Sequence, residues 1–182
     1  MQTEITTWHL ELTDRQDFRL SRPSPELRIE RAKIPCPELN RFLYTAVGGD
    51  LYWIDRLSWT WGQWMAYLDR PEVETWIGSV SGTPAGYFEL ERQAEGSIEI
   101  AYFGLLPQFV GRGLGGALLS AAVERGWETG ARRVWLHTCS LDHAAALPAY
   151  QARGFRIFRT EAAVRDLPER PPGPWPGAGR IK

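Results

Sequence analysis

The stretch Pro107-Gln108-Phe109-Val110-Gly111-Arg112-Gly113-Leu114-Gly115-Gly116 decides how this chain is read. Four glycines fall within six residues, after an apolar run and before a helical pattern that puts Leu114, Leu118, Ala121 and Ala122 on one face. Glycine at that density disfavours a helix interior. The spacing therefore predicts a strand over residues 97–105, a glycine loop, and a helix over residues 113–129 that stops at Gly130. The first turn of a helix offers unpaired N–H groups and partial positive charge. With no Cβ in the way, an anion approaches that backbone closely, and phosphate or pyrophosphate is the natural guest.

Two familiar phosphate loops fit poorly. Gly111 and Gly116 lack the spacing of a P-loop, and no lysine follows them. Gly111-x-Gly113-x-x-Gly116 does match the dinucleotide pattern GxGxxG. However, its strand comes late in the chain, and no acidic residue for a ribose stands about twenty residues on.

Upstream of the loop, residues 75–80 and 85–92 flank the turn-forming cluster Ser81-Gly82-Thr83-Pro84. With residues 97–105 they read as an antiparallel meander. Downstream, residues 133–138 form a short buried-type strand, which the crossover rule makes parallel to 97–105. A helix over 141–153 ends at Gly154, and residues 155–160 return as a strand. Earlier still, residues 5–12 and 27–34 alternate like strands. Pro37 opens a helix that Gly48-Gly49 ends. Asp50 is placed to cap a following helix whose stripe is Trp53, Leu57, Trp61, Trp64 and Leu68. That stripe reads as core. The class is mixed α/β.

Two motifs then carry a resemblance. Gln108-Phe109-Val110-Gly111-Arg112-Gly113 fits Q/R-x-x-G-x-G/A, and Tyr150-Gln151-Ala152-Arg153-Gly154-Phe155 fits Y-x-x-x-G-F. Together with the hairpin over residues 76–90, they make residues 75–160 resemble the GNAT superfamily of N-acetyltransferases. Residues 1–74 match only in the order of their elements. The resemblance implies a strongly twisted mixed sheet with helices on both faces. In it, an antiparallel meander gives way to two parallel strands splayed around acetyl-CoA. It implies backbone contacts from Leu105 and Leu106 to the pantetheine and thioester. Val110, Gly111, Arg112, Gly113, Gly115 and Gly116 would cradle the pyrophosphate. His143 stands where relatives often have a pantetheine-binding asparagine, and Pro148 interrupts the presumed helix. Gly104, in an otherwise apolar strand, is the expected site of the bulge that opens the sheet.

Acetyl transfer to an amine needs a base, because an ordinary alkylamine has a pKa near ~10.4. It also needs oxyanion donors and a proton for the thiolate. Glu99 is the base candidate by its register on the strand. Even spacing would put it on one apolar face with Ala101, Phe103 and Leu105, an environment that makes a carboxylate more basic. Tyr150 is the acid candidate through its motif. His9 and His137 read as isolated packed or surface histidines, and Cys139 as a structural thiol. Trp59, Tyr52 and the acidic residues Asp50, Asp55 and Asp69 are candidate acceptor-pocket residues.

The 182 residues suit one domain, with a single domain expected over 1–167 and a Pro/Gly-rich tail over 168–182. The tail reads as loose, or as a polyproline segment for a partner groove. A formal charge of −1 gives no sign of a nucleic-acid partner. No run reaches the ~18 apolar residues of a membrane span, and the N-terminus lacks a signal-peptide pattern. The two cysteines, Cys36 and Cys139, make no metal motif, so no metal and a cytoplasmic setting are expected. The favoured expectation is an acetyltransferase acting on a small-molecule or peptide amine by direct attack in a ternary complex, and the resemblance allows a homodimer. Its rival is a non-catalytic acyl-CoA-binding module.

Overall fold

A computed structural model describes residues 1–178. Seven strands form one sheet in the order β2-β3-β4-β5-β6-β1-β7. They are β1 (Gln2–Leu12), β2 (Arg28–Ala32), β3 (Val73–Val80), β4 (Thr83–Gln93), β5 (Ser97–Leu105), β6 (Arg133–Cys139) and β7 (Arg156–Asp166). Four helices accompany them: α1 (Pro37–Gly48), α2 (Trp61–Leu68), α3 (Leu114–Glu128) and α4 (Ala146–Ala152). The expected meander is present as the antiparallel run β3-β4-β5, and β5 and β6 are parallel. The N-terminal strand β1 lies between β6 and β7, antiparallel to both. That long-range pairing has no local signal in the chain.

Strand alternation distributes the core over both faces. Phe88 and Leu90 of β4, with Ile98 and Ile100 of β5, pack beneath Leu118, Leu119, Ala122 and Val123 of α3. Ala85 and Tyr87 point the other way, against Leu43 and Val47 of α1. Tyr44, Trp64 and Leu68 extend that second layer to α2. Burial of such side chains at ~25 cal/mol per Å² of apolar surface is what holds helices on both faces.

The structure corrects four local expectations. The helix with the tryptophan stripe starts at Trp61, because Thr60 and Gln63 form a capping box there. Residues 52–60 are irregular, and Trp61 is exposed rather than part of the core. The last helix begins at Ala146, not Leu141, which puts Pro148 in its first turn, where its missing N–H costs no helical bond. The bulge of β5 is not at Gly104: Ile100 pairs with Leu90 and Tyr102 with Glu89, so Ala101 is the extra residue. Gly104 instead makes room for α1, since a Cβ there would overlap Val47 Cγ1. Fourth, the bulge shifts the parity of β5, as the site below shows.

In the tail, the described residues 168–178 form no helix or strand. Gly173 N–H bonds to the Gly49 carbonyl at 3.0 Å, laying the proline-rich segment against the end of α1. Residues 179–182 of the predicted tail lie outside the described residues.

The Val47 contact gives a stability test. Gly104→Ala should destabilise the protein by roughly 1–3 kcal/mol, as overpacking does, seen as a lower urea midpoint with unchanged slope. Added to a Val47→Ala background, the same substitution should cost far less.

Candidate active site

The site grows from a short register. β5 and β6 pair over only three positions, Ser97 with Arg133, Ile98 with Val134 and Glu99 with Trp135. Beyond Glu99 the strands diverge. The Ala101 bulge, two residues on, adds local twist to β5. Backbone groups of β5 on the β6 side then lose their ladder partner. Leu105 lies at the end of this open segment. Leu106 does not offer its amide, because its N–H bonds to Ala85 at 2.8 Å and its carbonyl accepts from Phe109 N–H.

The glycine loop follows at the mouth of the split. Gly111 and Gly113 have φ of +84° and +77°, and nothing lies within 4 Å of a Cβ placed on either. These are left-handed conformations that suit glycine, and they keep one side of the loop open. α3 starts at Leu114, so its free N–H groups face this region. A Cβ on Gly115 would meet Leu105 Cδ1 at an ordinary 3.6 Å, whereas one on Gly116 would overlap the Ser21 side chain. The missing side chain of Gly116 therefore serves packing. Arg112 pairs with Glu26 at 2.9 Å and lies over Phe109.

The two lips of the split face opposite sides of the sheet. On the α3/α4 side, Tyr150 is buried and packs edge-on against Phe103 of β5 and Phe155. Burial pushes its hydroxyl well above the usual phenol range, with the Asp142 charge adding to the effect. Tyr150 is therefore proton-bearing at neutral pH. On the α1/α2 side, Trp53 packs against Tyr102 and its indole N–H reaches Asp142 Oδ1 at 3.4 Å, which links the α1–α2 connection to the β6–α4 connection. Asp142 is held by the Thr138 hydroxyl and the Cys139 N–H. His143, in the same turn, accepts from Ala145 N–H through Nδ1.

Glu99 is brought to this site, but not on the face expected. Glu99 opposes Glu91, whereas Phe103 opposes Phe88, and Phe88 and Glu91 lie on opposite faces of β4. The Ala101 bulge thus turns Glu99 away from Phe103 and Leu105, onto the α1/α2 side. Its setting is polar. It accepts from Gln93 at 2.7 Å and meets His137 Nδ1 at 3.3 Å.

Sequence reading missed that partner. His137 follows Trp135 by two on β6, so it shares the Glu99 face, but only the β5–β6 register reveals it. The hydrogen bond to Glu99 is the largest cause of a raised His137 pKa; burial opposes it, and the Asp142 and Asp55 charges support it. His9 is not isolated either. It stands opposite His137 across β1–β6 and its Nε2 lies 3.1 Å from Glu161. Cys139 is half-buried, and burial raises its thiol pKa. Trp59 packs on Trp64 and Tyr67 within the second layer, while Asp55 pairs with Arg165 at 3.5 Å.

A mixed sheet that opens between two parallel strands beside a glycine-rich helix start has the architecture of an N-acetyltransferase. The chain belongs to the GNAT acetyltransferase family, whose model matches residues 38–155. Its sequence is 40% identical over 78 residues to a mycothiol acetyltransferase from Corynebacterium aurimucosum, covering 41% of this chain and 25% of that one. A GCN5-related N-acetyltransferase from Sphaerobacter thermophilus superposes with a TM-score of 0.67 at 17% identity, over 88% of this chain and 50% of that one. An acetyltransferase from Bacillus subtilis, solved in complex with CoA, gives 0.56 at 23% identity, over 71% and 76% of the two chains. The chain thus spans a quarter of the curated relative and half of the Sphaerobacter protein.

The Glu99–His137 pair has a pH signature. A histidine whose pKa is raised by folding holds its proton more tightly in the folded state. The pair therefore adds stability below the ordinary value near 6.5 and loses it as pH rises through the raised value. An NMR titration should show His137 returning toward the ordinary value in Glu99→Gln, with the stability difference between wild type and variant fading above that pH range.

Proposed function

We propose that the chain is an acetyltransferase that moves the acetyl group of acetyl-CoA to a primary amine by direct attack. The observation that carries this reading is the opening between β5 and β6 after the Glu99–Trp135 pair, with the Gly111–Gly113 loop at its mouth. The two lips divide the chemistry. Pyrophosphate rests on the free N–H groups around Val110 to Gly116, and pantetheine runs into the split past Leu105. The thioester then lies between the faces, with Tyr150 on one and Glu99 on the other.

The amine arrives from the α1/α2 side, beside Trp53 and Tyr102. Neutral His137, oriented by Glu99, or Glu99 itself takes a proton from the ammonium. The amine attacks the thioester carbon, and β5 N–H groups freed by the divergence receive the oxyanion. The nitrogen gives up its second proton to solvent as the C–S bond breaks, and CoA leaves as a thiolate that is protonated from solvent. Tyr150 donates a hydrogen bond to the departing sulfur, and its raised pKa means that it acts as donor rather than base. The acceptor is a small-molecule or peptide amine.

Two variants test the halves separately. Gly113→Asp puts a carboxylate on the anion site; its Cβ meets no neighbour, and aspartate is among the residues that tolerate the left-handed φ at modest cost. Acetyl-CoA affinity by calorimetry should fall more than tenfold, which is about 1.4 kcal/mol, with the fold intact; unchanged affinity would remove the loop from the site. Tyr150→Phe keeps the ring between Phe103 and Phe155. Turnover should fall by roughly 10²–10⁴-fold with little change in acetyl-CoA affinity. Near-normal turnover would mean that the thiolate leaves without this hydrogen bond.

A further inference from the structure

A heavily built polar contact lies outside the chemistry just described. Arg56 belongs to the irregular connection between α1 and α2, yet its side chain is only 8% exposed. Its guanidinium bonds Glu89 Oε1 at 2.8 Å, and Glu89 is 1% exposed. Four rings surround the cation: Tyr67 at 4.2 Å, Tyr102 at 4.3 Å, Trp59 at 4.7 Å and Trp64 at 5.6 Å from their centroids. The second Glu89 oxygen accepts from Asn40, which also bonds Thr75. The Arg56 N–H is itself held by the Tyr44 hydroxyl at 3.2 Å.

The position of this pair in the sheet gives it meaning. Glu89 opposes Tyr102, and the register slips by one residue immediately beside them, at Ala101. Arg56 therefore grips β4 opposite the bulge of β5. It also lies on the face of Tyr102, which packs against Trp53, the residue that spans the split to Asp142. One side chain thus ties an otherwise irregular connection to the bulge and to the lip of the split. A buried ion pair is a poor way to gain stability alone, because apolar residues of similar volume do as well or better. Only a planar guanidinium bonds a carboxylate in its plane while presenting its faces to rings.

We propose that Arg56 is a positioning residue for the acceptor side, acting through Tyr102 and Trp53, and that Glu89 is its fixed anchor. This rests on reading the α1/α2 side of the split as the amine entrance. Arg56 itself touches Glu89 and the rings of the α1/α2 layer rather than residues 110–116, so its effect is expected on the acceptor side.

The test uses full-length Arg56→Lys and the double variant Arg56→Met/Glu89→Leu, which replaces the pair with apolar side chains. Melting temperature and hydrogen exchange are read for each. So are kinetics with spermidine, kanamycin, tyramine and lysine ethyl ester as amine probes. The double variant should recover the wild-type melting temperature. Both variants should still lose more than tenfold in kcat/KM for the best probe, through a higher amine KM. The KM for acetyl-CoA should stay within twofold. Exchange in residues 53–60 should rise more than tenfold while residues 110–116 stay unchanged. The proposal fails if the double variant regains wild-type amine kinetics together with stability, or if acetyl-CoA KM rises in step with amine KM. It also fails if exchange in residues 53–60 does not change, a readout that needs no acceptor. Wild type that turns over no probe would count against the proposed reaction, and exchange would still decide the role of Arg56.

Discussion

The structure depends on one constraint in the sheet: β5 and β6 share only three residue pairs before they part. A parallel ladder ends abruptly after Glu99 and Trp135, and the extra residue Ala101 bends β5 away. The rest follows from where those strands go. Phe103 and Leu105 remain in the core under α3. Tyr102 is delivered to the opposite layer, against Tyr44 and Trp53. The opening is therefore lined differently on its two sides, by a buried phenol on one and by a carboxylate–imidazole pair on the other. The proposed two-substrate transfer would use that asymmetry by bringing donor and acceptor to one carbon from different faces.

The opening has to be held, since unpaired strand backbone is costly when nothing satisfies it. Three contacts resist closure. Gly104 lets α1 sit directly on β5 through Val47. Trp53 bridges to Asp142 across the split. The Arg56–Glu89 pair fixes the layer on that side, with Asn40 satisfying the remaining carboxylate oxygen. The tail adds a strap, since Gly49 has no side chain and the backbone at Gly173 and Pro174 crosses where a Cβ would be.

What was legible in the sequence was what short-range chemistry dictates. The glycine loop over 111–116, the helix after it and its stop at Gly130 are all demands met within a few residues. The meander and the parallel crossover follow from turn clusters and chain handedness. The bulge was not legible, because alanine carries no bulge signal and the conspicuous residue nearby, Gly104, is used for packing. That one-residue slip put Glu99 on the wrong face in the sequence reading. It also hid His137, whose partnership depends on register between strands 38 positions apart. The tryptophan spacing continued smoothly through Thr60, and the capping box at Thr60 and Gln63, which was present in the sequence, outweighed it. Burial of Arg56 had no sequence signal, since arginine is usually exposed.

The central claim is that the β5–β6 opening and the glycine loop form one acyl-CoA site. Hydrogen exchange of the wild-type protein with and without saturating CoA tests it most directly. The account predicts new protection in residues 100–105 and 110–116, with β2 and β7 unchanged. Binding of CoA with protection elsewhere, or no binding at all, would contradict it.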